Sequence, residues 1–256
     1  MPDTDVPGIQ PEIDQLVLPL LPLTTGVVLP GMVVTLTLES DEAHAAADAA
    51  ASGDDALLLL VPKIEGHYAR VGTVAKIEDL GQTRTGVEAL VIRGLSRAVV
   101  GLGVPGTGAA VWVQADPVDE GEPTARAREL AREYRAVMEN IVEARGVPQV
   151  AEFLRGIDHP GQIADTSGYS PDLSFEQKVE VLEALDVQAR LELVTGWARD
   201  TLAEIELKDK IRTDVSEGME KRQREFLLRE QMSAIRKELG EDGEEDVVET
   251  YRSKIA

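Results

Sequence analysis

Proline is excluded from the interior of an α-helix, because its ring removes a backbone donor and collides with the preceding turn. All 13 prolines of this 256-residue chain stand at or before Pro171, and the 85 residues that follow contain none. The chain is thereby divided into a turn-rich half and a half free to build long helices. With 43% apolar residues it can bury the core of one large domain or two ordinary ones.

Charge narrows the function. The net charge is −21, with 15 acids against 6 bases in residues 1–118 and 32 against 20 in residues 119–256. Neither half offers the basic footprint that phosphate neutralisation requires, so strong nucleic-acid binding is not expected. Without cysteine there are no disulfides, thiolate metal sites or cysteine nucleophile. The start Met1-Pro-Asp-Thr-Asp5 lacks a secretory pattern, and no apolar run approaches the ~20 residues of a membrane span. A cytoplasmic protein with no membrane partner is expected.

From Leu16 to Val118, short β-branched runs are bounded by Gly, Pro or Asp, which predicts strands at Leu16–Leu23, Val33–Leu38, Leu57–Val61, Val71–Ile77, Val87–Ile92, Ala98–Leu102 and Ala110–Ala115. Val33–Leu38 alternates like a strand with one wet face, whereas Leu57–Val61 reads as buried on both sides. One helix, capped by Ser40 and closed by Gly53, interrupts them. This pattern predicts an α+β fold with a mostly antiparallel, curled sheet. Gly101-Leu-Gly-Val-Pro-Gly106 has dinucleotide-loop spacing, but a strand follows it where a helix is needed, so it reads as a hairpin.

The polar stretch Asp116–Pro123 marks a subdomain boundary. Helices are expected at Thr124–Arg145, Val150–Leu154, Gly161–Ser167 and, with the capping box Ser174/Gln177, at Ser174–Ala184. Beyond Asp186, the stripe Val187, Leu191, Val194, Ala198, Leu202 and Ile205 predicts a packed helix face. A second stripe, Leu228, Met232, Ile235 and Leu239, follows a charged stretch. Continuous from Val187 to Leu239, the helix would span roughly 80 Å, too long for one small domain; Gly218 is the expected point of a bend or break. The organisation expected is a tail (1–14), a β-rich subdomain (15–118), a helical bundle (119–185), a long helix (186–240) and an acidic linker (241–256).

Residues 220–237 hold six bases and three acids, while 238–249 hold seven acids and no base. Two readings stand: a solvated helix laced with i,i+4 pairs, or a docking helix for a partner or unfolded chain. On the second, Met219, Phe226, Leu227, Leu228, Met232 and Ile235 are the candidate contact residues.

Catalytic patterns are missing. The sequence contains no Gly-Lys dipeptide and hence no nucleotide P-loop, and no Gly-x-Ser-x-Gly elbow. His44, His67 and His159 match no ligand spacing and read as surface or turn residues. Trp112 and Trp197 read as core anchors. No catalytic, cofactor-binding or metal residue is assigned.

The strings Leu18-Pro-Leu-Leu-Pro-Leu23, Val28-Leu-Pro-Gly-Met-Val33, Val71-Gly-Thr-Val-Ala-Lys-Ile77 and Val91-Ile-Arg-Gly-Leu-Ser-Arg-Ala98 resemble the amino-terminal domain of the ATP-dependent Lon protease family. Glu176–Leu191 and Met219–Glu241 extend the resemblance over nearly the whole chain. It implies a PUA-like β subdomain, a helical bundle and a long helix leading to an ATPase module. It also implies recognition of unfolded or damaged proteins and assembly of a homohexameric serine protease that uses ATP and magnesium, with adaptor proteins as further partners. The family's Walker loops and Ser-Lys dyad have no counterpart in these residues, so the chain is expected to be a non-catalytic amino-terminal portion. The alternative is a nucleic-acid- or adaptor-binding PUA-like module without a protease role.

Overall fold

The computed structural model describes residues 15–83 and 86–239; the expected tail at 1–14 and acidic linker at 241–256 lie outside them. Among the described residues seven strands form: β1 (Leu16–Leu23), β2 (Val33–Thr37), β3 (Leu57–Ile64), β4 (His67–Tyr68), β5 (Val71–Gln82), β6 (Glu88–Val104) and β7 (Trp112–Pro117). The leucines at 58–60 have no polar side to present to water, and β3 is accordingly covered on both edges. It pairs in parallel with β1 and antiparallel with β5. Because β5, β6, β7 and β1 follow as antiparallel neighbours, the parallel β1–β3 pair closes a five-stranded ring. The side β2 lies outside the ring, antiparallel to β6.

The mostly antiparallel sheet agrees with the sequence. One correction concerns β6: the strands expected at Val87–Ile92 and Ala98–Leu102 are a single strand of 17 residues. Gly94 is the reason. It breaks the apolar pattern without turning the chain, since a Cβ there would sit 2.5 Å from the carbonyl oxygen of Leu29. The glycine marks a close backbone approach rather than a turn.

Helix ends follow local chemistry. Ser40 caps α1 (Asp41–Ala51), whose Ala43, Ala46, Ala47 and Ala50 are buried. Thr124 caps α2 (Ala125–Ala144), and α3 (Pro148–Arg155) and α4 (Pro160–Asp165) each begin on proline. A 3-10 turn (Thr166–Tyr169) leads to α5 (Phe175–Glu183), which carries the Ser174/Gln177 capping box. The Asp186 carboxylate accepts the Ala189 N–H at the start of α6 (Val187–Leu239). This helix is continuous through Gly196 and Gly218, so no break occurs at Gly218; with 53 residues each contributing to one ladder, a single glycine costs only about 1 kcal/mol.

Contacts divide the chain between Leu202 and Ala203, within α6. The first unit holds the ring, its core of Leu29, Leu58, Leu59, Leu60, Leu90 and Ile92, and the helices whose buried faces include Tyr134, Ile163, Leu182 and Leu191. The second unit contains the outer part of α6, where side chains beyond Ile205 are exposed apart from the half-buried position of Gly218.

Candidate functional site

All six residues singled out by the sequence lie on α6 in the second unit, each 53–65% exposed. Leu228, Met232 and Ile235 share one face through four- and three-residue steps, with Leu239 continuing it. Met219 and Phe226 form a separate pair one heptad apart. From Met219 to Leu228 is roughly two and a half turns, which places them on opposite sides of the helix. Leu227 stands beside Leu228, off its stripe. The structure therefore gathers three of the six and leaves the others on different faces.

A buried charge cluster in the first unit went unforeseen. Arg97 on β6 and Arg190 on α6 have fully buried side chains, yet both carry charge. Arg97 forks onto Asp165 at 2.7 and 2.8 Å, donates to Glu120 at 3.3 Å, and uses its remaining N–H groups on the carbonyls of Val181 and Leu182. Arg190 donates to Asp165 at 3.1 Å, to Glu120 at 2.7 Å, and to the carbonyls of Ala184 and Leu185. Two cations thus face two carboxylates, and the orphan carbonyls at the end of α5 are satisfied as well.

A hollow of about 330 Å³ beside it is lined by Gly31, Ser96, Arg97, His159 and Gln162. Every N–H of Arg97 is already engaged, so this guanidinium has no donor to spare for an anion. The cluster works as a clamp between ring and helices. Its sequence signal was Arg190, a charge set on the apolar stripe between Val187 and Leu191; nothing comparable marked Asp165.

The other candidates occupy structural positions. The Gly101–Gly106 string lies in β6 and the hairpin to β7. Trp112, expected in the core, is half-buried and packs on Gly106, its indole N–H donating to the Thr107 carbonyl at 3.0 Å. Trp197 is half-buried in a slot with Tyr134, Met138, Ile141 and Val194. The His159 ring accepts the Gly161 N–H at the start of α4, His44 lies 3.5 Å from Glu88, and His67 is exposed on β4. Among the described residues no group of three or more His, Asp or Glu side chains is placed to hold a metal ion, and no helix is long and apolar enough to cross a membrane.

The family model described as the ATP-dependent protease La (LON) substrate-binding domain matches residues 17–200. The chain belongs to the Lon substrate-binding domain family. The Lon protease of Salinispora arenicola is 50% identical over 238 residues, covering 93% of this chain and 30% of that protein. The Lon protease of Mycolicibacterium smegmatis is 44% identical over 239 residues, covering 93% and 31%. Among solved structures, the N-terminal domain of Mycobacterium avium complex Lon protease matches with a TM-score of 0.69 at 37% identity, covering 72% of this chain and 99% of that one. A Lon N-terminal domain protein from Xanthomonas campestris, at 22% identity and a TM-score of 0.51, shares the fold. The chain spans about 30% of the length of the curated Lon relatives it matches. The clamp residues Arg97, Asp165 and Arg190 all fall within the stretch covered by the Lon family model.

Proposed function

We propose that this chain recognises unfolded or damaged protein segments for an ATP-dependent Lon protease, and performs no catalysis itself. The observation that carries the reading is the substrate-binding family match over residues 17–200. The exposed stripe Leu228, Met232 and Ile235 supports placing a contact on α6, because flexible methionine and branched side chains adapt to varied apolar partners. Finer expectations go with it. The full protein self-associates as a homohexamer in the cytoplasm, accepts adaptor proteins, and uses ATP with magnesium in an ATPase module for which this sequence has no phosphate-binding loop.

The mechanism on this side is capture. An unfolded segment buries apolar side chains against the α6 stripe, each contributing roughly 25 cal/mol per Å² removed from water. The basic residues Arg229, Arg236 and Lys237 flank the stripe and disfavour strongly cationic segments. Placing a photo-crosslinking amino acid in turn at Phe226, Leu227, Leu228 and Met232, and adding unfolded β-casein, tests this. Adducts at these positions are expected; no adduct from any of them, when the same amino acid placed at Val247 or Val248 does give one, would overturn apolar docking on α6.

A further inference from the structure

β2, the side strand paired to β6, has an outer edge whose backbone groups can be traced from its register. In an antiparallel ladder, alternate residues direct both backbone groups to the partner strand and the others direct them away. Leu38 donates its N–H to the Glu88 carbonyl, and the register Val34↔Ile92 and Leu36↔Leu90 continues that phase. Val33, Thr35 and Thr37 therefore turn their N–H and C=O groups away from β6. Consistent with this phase, the Val33 N–H donates to the Tyr169 hydroxyl at 2.9 Å. For Thr35 and Thr37 no backbone partner exists on that side among the described residues.

The edge lacks the usual protection. Val33-Val-Thr-Leu-Thr37 contains no charge, proline or bulge, and Thr35 and Thr37 are exposed. With Thr24, Thr25, Glu39 and Lys63 they line a groove of about 490 Å³. The spacing of the free groups is that of a strand, and their chemistry is peptide-like. A second copy of this chain is disfavoured as occupant: each copy carries −21, and two free residues are far too few for a stable dimer edge.

We infer that β2 binds an extended, unfolded polypeptide segment by strand addition along Thr35 and Thr37, with main-chain bonds giving affinity and little side-chain selectivity. This rests on the substrate-recognition reading and supplies a mode of contact for it. Such a mode suits a protein that must accept many sequences, since the backbone is common to all of them.

Residue-resolved hydrogen exchange on the full chain tests it, using a Lys-flanked peptide of roughly ten residues with alternating Val and Thr. Exchange at the Thr35 and Thr37 amides should slow about tenfold on peptide addition, while Val34 and Leu36, already bonded to β6, stay unchanged. The same peptide N-methylated at alternate amides should give no protection, a control that needs no protein variant. Thr35→Pro, which removes only an outward donor, should weaken peptide binding measured by fluorescence anisotropy about tenfold; Thr35→Val should leave it within about twofold.

Peptide binding without protection of Thr35 and Thr37, or equal loss in Thr35→Pro and Thr35→Val, would overturn strand addition and leave the recognition reading intact. Failure of the wild-type chain to bind either the peptide or unfolded β-casein would overturn both. Protection of these amides that grows with protein concentration, without peptide, would assign the edge to a second copy and sink the proposal.

Discussion

Asp165 is held between two guanidinium groups with almost no contact with water. Removing its charge while keeping its shape leaves two buried cations facing Glu120 alone, a situation that costs about 3–5 kcal/mol. Asp165→Asn is therefore expected to lower the urea midpoint strongly. Glu120→Gln should lower it less, since that side chain is 23% exposed and its charge is partly solvated; equal losses would mean the clamp does not work as described. A second residue-scale outcome concerns Tyr134 on α2, whose hydroxyl bonds Thr166 and whose pKa burial pushes up to about 12 from its ordinary 10.0. Because the folded value is the higher one, this contribution is complete below pH 10.0 and is lost as pH rises towards about 12. Thermal midpoints should fall over that window, and less steeply in Tyr134→Phe. Tyr134 recurs with Leu130, Met138 and Ile141 at helical spacing, so the aromatic itself is legible in the sequence. Its hydroxyl partner was not, because Thr166 comes from a different turn of chain.

At the scale of elements, what sequence patterns disclose is what neighbours in the chain decide. The caps Ser40, Thr124, Ser174 and Asp186 act on amides three residues ahead, so each helix start was readable from a few letters. The course of β6 was not. Gly94 looked like a strand end because its role is set by Leu29, distant in sequence and pressed against it in space. Gly94→Ala should therefore cost roughly 1–3 kcal/mol by calorimetry, through displacement of backbone that has no side-chain freedom to yield. An unchanged midpoint would show that the Leu29 segment can move aside. The candidate residues on α6 show the same division: their exposure followed from the thinning stripe, but the opposition of Met219 and Leu228 depends on helical continuity through Gly218.

At the level of the whole molecule, the packed core ends within the first unit, near Ala198, while the six α6 candidates contribute nothing to it. Deleting residues 219–256 should leave the thermal midpoint within about 2 °C of the full chain, the shift expected when no core contact is lost. If this helix is the assembly element, the deletion also abolishes concentration-dependent sedimentation; persistence of that behaviour would move assembly elsewhere. The class and most of the element order were legible, since periodicity reports them directly; the two-residue β4 and the unbroken course of β6 were not. Ring closure was not, because the parallel β1–β3 pair leaves no local mark in either strand.

The clamp also has a direction in time. Ribosomes build chains from the amino terminus, and domains tend to fold as they emerge. The ring is complete in sequence at Pro117, before Glu120, Asp165 and Arg190 have been made. Arg97 is thus placed on β6 while Asp165 and the carbonyls of Val181 and Leu182 are still to emerge, so a nascent ring would keep that cation in water until the helices arrive to enclose it.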